Sequence, residues 1–176
     1  MLTPLQRKSV QAHDASFAIV ASLYNARYVN AMLRAAKAEL KSAGARQIRV
    51  LRVPGAYEIP IVAARLAATA AAQAAPVGHR SSRAARHAPP SAIICLGVIL
   101  RGQTVHAAHI GEAVSRALME IQLQYLVPVV HEVLLLENED QARARCLSKT
   151  HNRGAEAAQT ALAMARIFSR ATALQQ

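Results

Sequence analysis

One stretch of the sequence combines groups that could bind an anion. Residues 101–106, RGQTVH, lie between an apolar run and an amphipathic segment. Residues 102–104 lead into a predicted helix that begins near His106, so this junction offers free backbone N–H groups, a hydroxyl and the positive end of a helix dipole. These groups suit a phosphate. An ordinary capped turn has the same composition, so this stretch alone leaves both interpretations open.

Strand and helix patterns alternate along the chain and predict the elements that hold these residues. Apolar runs rich in strand formers predict strands at residues 16–22, 48–55, 91–100 and 127–136. Helical spacing predicts helices at residues 29–43, 59–75, 106–125, 138–145 and from 154 to about 170. Alternation of this kind implies parallel pairing. The predicted fold is α/β, a three-layer α/β/α sandwich with a central, mostly parallel four-stranded sheet, in one domain.

The ends of the predicted strands are the expected place for a ligand. Because the carboxyl ends of parallel strands meet at one edge of the sheet, ligands bind in the crevice beyond them. Each strand end here is followed by a turn whose backbone can approach a ligand closely, together with an aromatic or polar side chain. This rule points to four places: residues 24–25, 55–58 and 100–106, and His131.

Size and composition fit a single domain spanning residues 1–176, and 3% aromatic content implies a core of small and aliphatic side chains. No apolar stretch approaches the roughly 20 residues of a membrane-spanning helix. The N-terminal segment has no apolar region of the kind found in a secretory signal. Cys95 and Cys146 form no close-spaced metal or redox motif. We therefore expect a cytoplasmic protein with reduced thiols, no metal and no membrane partner.

The net charge of +11 favours anionic partners, such as nucleic acid or phosphorylated metabolites. Part of this charge lies in residues 77–90, which hold three arginines and two histidines but no acid. A solvated surface loop accounts for that segment. It has no aromatic residue on which bases could stack, and nothing in the chain resembles a groove-reading helix. A nonspecific nucleic-acid or scaffold role is the alternative from a different functional class.

Five segments resemble the lumazine synthase family in order and spacing. Residues 53–60, VPGAYEIP, are similar to its VPGAFEIP-type motif, and residues 97–106, GVILRGQTVH, resemble its third-strand motif, in which RGxTxH carries the catalytic histidine. SLYN at 22–25 resembles the first-strand aromatic site. Residues 128–145 resemble the family's fourth strand and next helix, and residues 148–158 resemble its terminal lysine and Asn-Lys-Gly segment.

The resemblance covers nearly all of residues 16–170 and implies a flavodoxin-like fold and a reaction. The family condenses 5-amino-6-(D-ribitylamino)uracil with 3,4-dihydroxy-2-butanone 4-phosphate to give 6,7-dimethyl-8-ribityllumazine, in riboflavin biosynthesis. An imine forms, phosphate is eliminated, and the ring closes with loss of water. These steps need proton transfer near neutral pH, which suits a histidine, and two substrates held in register. The resemblance implies neither a metal nor another cofactor.

Carried over position by position, the resemblance implies a role for each site residue. His106 is the implied proton donor and acceptor. Phosphate is implied to bind Gln103, Thr104 and Arg145, with Lys149 nearby in support.

The remaining implied site residues hold the heterocycle and its ribityl chain. Tyr24 stacks on the pyrimidine, and His131 stands where the family has an aromatic residue that flanks the same ring. The others are Ala56, Tyr57 and Glu58 for the ribityl chain and the backbone of Val98, Ile99 and Leu100 for the ring. In the family the pocket lies between neighbouring subunits of a pentamer, decamer or icosahedral sixty-subunit shell. Arg145 and His131 would then come from the adjoining chain of a homo-oligomer.

Three features depart from the family pattern. Residues 107–109, Ala-Ala-His, replace an aromatic, an acid and another aromatic. His131 replaces an aromatic residue, and Glu132 follows it where the family has a small residue. Residues 69–90 form an alanine-rich and basic insertion, and residues 1–15 an N-terminal extension. We expect the alanine-rich half of the insertion to extend the second helix and the rest to lie far from the pocket.

Two further interpretations stay open for the same residues. His106 and His109 are three apart on a predicted helix, could share a face with Glu112 and could lie near His131, which would suit zinc. Alternatively, the changes at Ala107, Ala108, His109 and His131 could leave a divergent family member that binds a lumazine or flavin without strong activity.

Overall fold

The structure is a computed structural model that describes Ala12, residues 14–74 and residues 88–173. The strands of this part of the chain are β1 (Ser16–Ser22), β2 (Gln47–Val53), β3 (Ala92–Leu100) and β4 (Val129–Leu136). The helices are α1 (Ala26–Ser42), α2 (Ile59–Ala74), α3 (His106–Tyr125), α4 (Glu139–Ala142) and α5 (Arg153–Ala173), with a π-helical turn at Arg143–Leu147. None of the helices described here is long and apolar enough to cross a membrane.

All four strands pair in parallel, in the order β2-β1-β3-β4. β1 is buried along its whole length, and β3 is buried except for its last residue. A parallel sheet needs helices on both faces, and its central strands therefore read as continuous apolar runs rather than alternating ones. The predicted α/β sandwich is confirmed.

Two hydrophobic cores flank the sheet, one on each face. Successive residues of a strand point to opposite faces. Ile94 packs with α1 and α5 on one face, whereas its neighbour Cys95 packs with α2 and α3 on the other. Ala142 and Cys146, from α4 and the π-helical turn, join the core under α1 and α5. The two faces therefore carry different elements that lead to the same edge of the sheet.

Most predicted boundaries differ from the observed ones by a few residues. α1 begins at Ala26, three residues before the predicted start, because Asn25 already accepts the first helical hydrogen bonds through its carbonyl. Asn138 caps α4 as predicted, since its Oδ1 accepts from the backbone N–H of Gln141 at 2.9 Å. The helix predicted to run through Arg145 changes at Arg143 into the π-helical turn. Such turns are uncommon, and no local composition signals them.

The start of α5 lies directly against the backbone of α1. A Cβ atom added to Gly154 would come within 2.5 Å of the Cα and carbonyl carbon atoms of Met32 and closer still to its oxygen. The backbone N–H of Gly154 donates to Oδ1 of Asn152 at 2.9 Å, and Nδ2 of Asn152 donates to the carbonyl of Cys146. Asn152 therefore caps α5 and ties it to the π-helical turn.

The chain returns from the predicted insertion at the amino edge of the sheet. The backbone N–H of Ser91 donates to the carbonyl of Ser16 at 2.8 Å, and that of Ser16 donates to Oγ of Ser91 at 3.3 Å. α2 continues through Ala74, as its alanine-rich composition predicts. Residues 75–87 of the insertion and most of the predicted N-terminal extension lie outside the described residues.

We predict that Gly154→Ala destabilises the fold, because the added methyl group meets the backbone of Met32 rather than a movable side chain. Overpacking of this kind costs about 1–3 kcal/mol or more. The urea midpoint of unfolding measures the effect. Gly102→Ala is the matched control, since a Cβ atom at Gly102 meets no atom within 4 Å. Equal midpoints for the two variants would show that α1 and α5 can separate freely.

Candidate functional site

Main-chain hydrogen bonds hold the carboxyl ends of β1 and β2 together. The backbone N–H of Leu23 donates to the carbonyl of Val53 at 2.7 Å. The backbone N–H of Tyr24 donates to the carbonyl of Pro54 at 3.0 Å. These bonds place the turn after β1 beside the turn after β2. Tyr24 and Tyr57 are 73% and 63% exposed there, so two aromatic rings are available to stack on a planar ligand.

Asn25 connects the same turn to β3, a role that the sequence analysis missed. Its backbone is left-handed, with φ 55°, a conformation that asparagine adopts more readily than most residues. Its Nδ2 donates to the carbonyl of Val98 at 2.8 Å. The β1–β3 ladder ends at the pair Ala21–Leu96, so this side chain continues the pairing beyond it. An asparagine directly between a strand and a helix was the signal available in the sequence.

The three backbone units implied to line a ring site do not have equal access to a ligand. Val98 and Ile99 are buried, and Leu100 is half-buried at the end of β3. The carbonyl of Val98 already accepts from Asn25. Ile99 and Leu100 come later in β3, so their backbone groups are nearer the open edge.

Glu58 closes the turn after β2. Its Oε2 accepts from the backbone N–H of Gly55 at 2.8 Å. Ala56 is buried, so Tyr57 is the residue of this turn that projects furthest into solvent. Within the described part of the chain, Oε1 of Glu58 makes no hydrogen bond, so it can accept from a ligand hydroxyl.

The turn after β3 is open to solvent. Residues 101–106 are all exposed. α3 begins at His106 with Val105 at its N-cap, and no side chain in the described residues caps it. Its first backbone N–H groups can therefore face an anion. Arg101 is held at the side of this turn, with Nη1 2.9 Å from Oε1 of Glu137.

The altered positions after His106 fit the first turn of α3. Ala107 packs in the core beneath the helix, Ala108 lines a surface groove, and His109 is exposed. These residues place no carboxylate within the turn that follows His106, and His106 is open to solvent.

Arg145 lies in the π-helical turn, in the layer of α1 and α5. His106 begins α3, which packs on the opposite face of the sheet. The two side chains therefore start from layers on opposite faces of the sheet. Arg143 binds Glu139 and Asp140 at 2.9 and 2.8 Å, whereas Arg145 is exposed and has no ion pair within the described residues.

Lys149 lies on a short loop that hydrogen bonds keep in place. Oγ of Ser148 accepts from the backbone N–H groups of Thr150 and His151 at 3.2 and 3.0 Å. Asn152 fixes the other end of this loop through its bonds to Cys146 and Gly154. These bonds fix the loop that carries the exposed Lys149, four residues after Arg145 in the sequence.

His131 lies inside β4, as the predicted strand over residues 127–136 has it, and not beyond a strand end, where the rule for ligand sites pointed. β4 continues to Leu136, and His131 is its third residue, paired with Cys95. The apolar residues that follow it extend the strand. Its ring is exposed on the outer strand of the sheet, with Nε2 2.9 Å from Oγ of Ser115 on α3. A surface groove of about 450 Å³ runs beside this pair.

Glu132 is buried and points to the opposite face from His131. Its Oε1 lies 2.7 Å from Nε of Arg153, whose Nη1 lies 2.7 Å from Oε2 of Glu156. Burial raises the pKa of Glu132, and the positive charges of Arg153 and Arg145 oppose that rise. The departure at Glu132 is therefore accommodated by an ion pair that joins β4 to the start of α5.

The cysteines do not fit a nucleophilic role. Cys95 and Cys146 are free and buried. Burial raises the pKa of Cys95, and burial with the nearby Glu132 raises that of Cys146 to about 11, so neither thiolate is abundant at neutral pH. Among the described residues, no three His, Cys, Asp or Glu side chains are grouped so that they could hold a metal ion.

The chain thus carries two sets of functional groups that it does not join. The carboxyl edge holds two exposed tyrosines, Glu58, the open turn at 102–104 and His106. Arg145 and Lys149 follow β4 in the layer on the other face of the sheet, and His131 lies inside β4. The first set suits a planar, hydroxylated ligand with an anionic group. A pocket that used both sets would need a second copy of the chain.

Comparison with known proteins shows where these features recur. A family model described as 6,7-dimethyl-8-ribityllumazine synthase matches residues 14–169. A protein of that name from Stenotrophomonas maltophilia (strain R551-3) is 38% identical over 157 residues, which cover 88% of this chain and 90% of that protein. Another from Xanthomonas euvesicatoria pv. vesicatoria (strain 85-10) is 37% identical over 156 residues, with 88% and 90% covered. The matched region contains both sets of functional groups.

Proposed function

The chain belongs to the 6,7-dimethyl-8-ribityllumazine synthase family, and from this premise we propose that it makes that lumazine with His106 as its proton-transfer group. It is a transferase of riboflavin biosynthesis, and its substrates are 5-amino-6-(D-ribitylamino)uracil and 3,4-dihydroxy-2-butanone 4-phosphate. The observation that supports the proposed site most directly is the uncapped start of α3, where His106 stands beside residues 102–104 at the carboxyl edge.

The reaction moves a proton at every stage. The 5-amino nitrogen attacks the ketone carbonyl, and water leaves as the imine forms. Loss of a proton beside the imine expels phosphate, and the ribitylamino nitrogen then closes the ring on the remaining carbonyl with loss of a second water. An imidazole can donate and accept protons near neutral pH. His106 is exposed on the first turn of α3, where it can reach substrates bound in the cleft.

Phosphate binds at the uncapped start of α3 in this proposal. Gln103 and Thr104 are exposed and lie just before the free backbone N–H groups of the helix. Arg145 and Lys149 of a neighbouring subunit complete the site, because both are exposed cations without ion pairs in the described part of the chain. A charge-assisted contact from Arg145 also holds the leaving phosphate as its charge develops.

The pyrimidine and its ribityl chain bind along the ends of β1, β2 and β3. Tyr24 stacks on the ring, which contacts the backbone of β3 near Ile99 and Leu100. Oε1 of Glu58 accepts from the ribityl hydroxyls. The proposed contacts to this substrate also include the turn residues Ala56 and Tyr57, the backbone of Val98, and His131 of the neighbouring subunit.

A homo-oligomer is part of the proposal because the two sets of groups lie apart in one chain. Large apolar side chains are exposed near both sets, including Tyr57, Ile61 and Leu135. Contacts with a neighbour would cover them. We propose a homopentamer or a multiple of it, with each pocket built at a subunit boundary. No specific nucleic acid takes part.

We place the assembly in the cytoplasm, where two free, buried cysteines stay reduced. The chain forms one domain over residues 1–176 in this proposal. The described end of the insertion, residues 88–90, leads into β3 at the amino edge of the sheet, away from the proposed pocket.

Turnover should occur without added metal or cofactor and should persist in a chelator. Incubation of the purified protein with both substrates tests this, with the absorbance of the lumazine product as the measurement. The physical reason is that proton transfer by His106 and the juxtaposition of two substrates need no Lewis acid. Restoration of lost turnover by zinc would contradict the proposal, as would tight lumazine binding with no turnover.

His106→Ala and Arg145→Ala should impair different kinetic constants. We expect His106→Ala to lower kcat by about 100-fold or less, because solvent can replace part of the proton transfer and proximity of the substrates is retained. Arg145→Ala should raise KM for the butanone phosphate by about 10- to 100-fold, as expected for a lost charged hydrogen bond. The reverse pattern would assign these two roles wrongly.

Coexpression of the two variants tests whether the pocket is shared. In a mixed oligomer of equal amounts, about a quarter of the boundaries join an intact His106 to an intact Arg145 of the neighbour. We therefore expect about a quarter of wild-type activity at low butanone phosphate concentration. Each variant alone is the control. Activity no higher than the mean of the two controls would place both residues in one chain's own site.

A further inference from the structure

His131 and Ser115 form a contact that the family pattern does not supply, since His131 replaces an aromatic hydrocarbon ring. Oγ of Ser115 lies 2.9 Å from Nε2 of His131 and 2.7 Å from the carbonyl oxygen of Gly111. Ser115 and Gly111 are one turn apart on α3, and His131 is on β4. The hydroxyl therefore bridges a helix carbonyl and the imidazole ring.

Counting protons shows how this bridge is built. A serine hydroxyl has one proton and can also accept hydrogen bonds, whereas a carbonyl oxygen only accepts. The 2.7 Å approach of the two oxygens needs the hydroxyl proton between them, because two lone pairs at that distance repel. The hydroxyl then has no proton left for His131. Both contacts are hydrogen bonds only if Nε2 of His131 carries a proton and donates it to Ser115.

The surroundings of the ring favour its neutral form. Glu112 and Arg116 of α3 line the groove beside Ser115, with charges of opposite sign. From β3, the ring's neighbour in register is the uncharged thiol of Cys95, and on β4 the Glu132 carboxylate points to the other face. The part of the ring that packs against the protein loses contact with water, and this desolvation lowers the pKa of His131, against a smaller opposite effect of its own backbone carbonyl. At neutral pH the ring is uncharged.

We propose that Ser115 is a positioning residue that holds the neutral His131 ring, in its Nε2–H tautomer, against the pyrimidine bound in the neighbouring subunit's pocket. The inference rests on the proposed function, which puts His131 beside that ring. An exposed imidazole on an outer strand otherwise rotates freely between rotamers, and fixing it before the substrate arrives reduces the entropy lost on binding. Ser115 supplies the fixed point because its own proton is held by Gly111.

A double-mutant cycle separates positioning from structure. We expect Ser115→Ala to raise KM for the pyrimidine substrate by roughly threefold to tenfold, the range for one hydrogen bond, with little change in kcat or in KM for the butanone phosphate. Ser115→Thr keeps the hydroxyl and should restore KM. In a His131→Phe background, Ser115→Ala should have no further effect. An equal effect of Ser115→Ala with and without the imidazole would overturn the proposal.

The pH dependence gives a second readout. As pH falls through the pKa of His131, which burial places below the ordinary value of about 6.5, an imidazolium forms beside the heterocycle. KM for the pyrimidine should then rise in the wild-type protein and stay level in His131→Phe. If KM for the pyrimidine rose at low pH in both proteins, the rise would belong to a group other than His131, and the proposal would fail.

Solid-state NMR of protein labelled with 15N-histidine observes the tautomer without substrate. The His131 signals, identified by their loss in His131→Phe, should show a protonated Nε2 and a bare Nδ1, and Ser115→Ala should mix the two tautomers. A protonated Nδ1 in the wild-type protein would overturn the proposal.

The proposed function can fail separately. If the wild-type protein forms no lumazine, that function is wrong, and titration of Ser115→Ala with the pyrimidine substrate alone still tests Ser115. Equal affinity of the wild-type protein and the variant would then overturn the positioning role.

Discussion

Beyond the last paired residues of a parallel sheet, strand ends have no regular partners, and in this protein single hydrogen bonds take over. Tyr24 bonds to Pro54, and Asn25 reaches across to the carbonyl of Val98. A further main-chain bond joins Arg101 to Leu136 at 2.8 Å. These few bonds set how far apart the turns stand, and hence the spacing of the groups in the proposed site. Their loss would leave the sheet folded but the cleft undefined, because the strands remain paired below them.

Ion pairing, rather than the number of cations, decides where positive charge stays available on the surface. The chain has 21 lysines and arginines and 10 acids, so the position of each acid decides which cations remain available. Glu139 and Asp140 engage Arg143, and Glu132 with Glu156 engages Arg153. The exposed pairs of Arg143 add little stability, whereas the carboxylate that pairs with Arg153 from β4 is buried. With these pairs made, Arg145 is exposed and has no ion pair among the described residues, which suits its proposed role in binding phosphate.

The sequence was sufficient to predict the sandwich, and the site is still a prediction at the carboxyl edge. Because β1 and β3 are buried on both faces of the sheet, they appear in the sequence as apolar runs that predict strands. Residues 102–104 predict the open start of α3. The sequence did not predict three contacts between distant residues, each of which joins separate elements: Asn25 with Val98, Glu132 with Arg153, and Ser115 with His131. The sequence predicted a strand through Leu136 with His131 inside it, and the structure has both, but the sequence could not show that the ring meets Ser115. The roles of His106, Arg145 and the other site residues stay predictions from the resemblance.

The insertion returns to the sheet at its amino edge, so a change in the length of the insertion is separate from a change at the carboxyl edge. Ser16 and Ser91 clamp the chain there, a full strand length from the carboxyl edge. The entropy of closing a loop grows only slowly with its length. Residues can therefore be gained or lost between α2 and β3 at little energetic cost, while the chemistry at the far edge stays under separate selection. The fold thus lets the connection between α2 and β3 change in length without altering the residues of the proposed site.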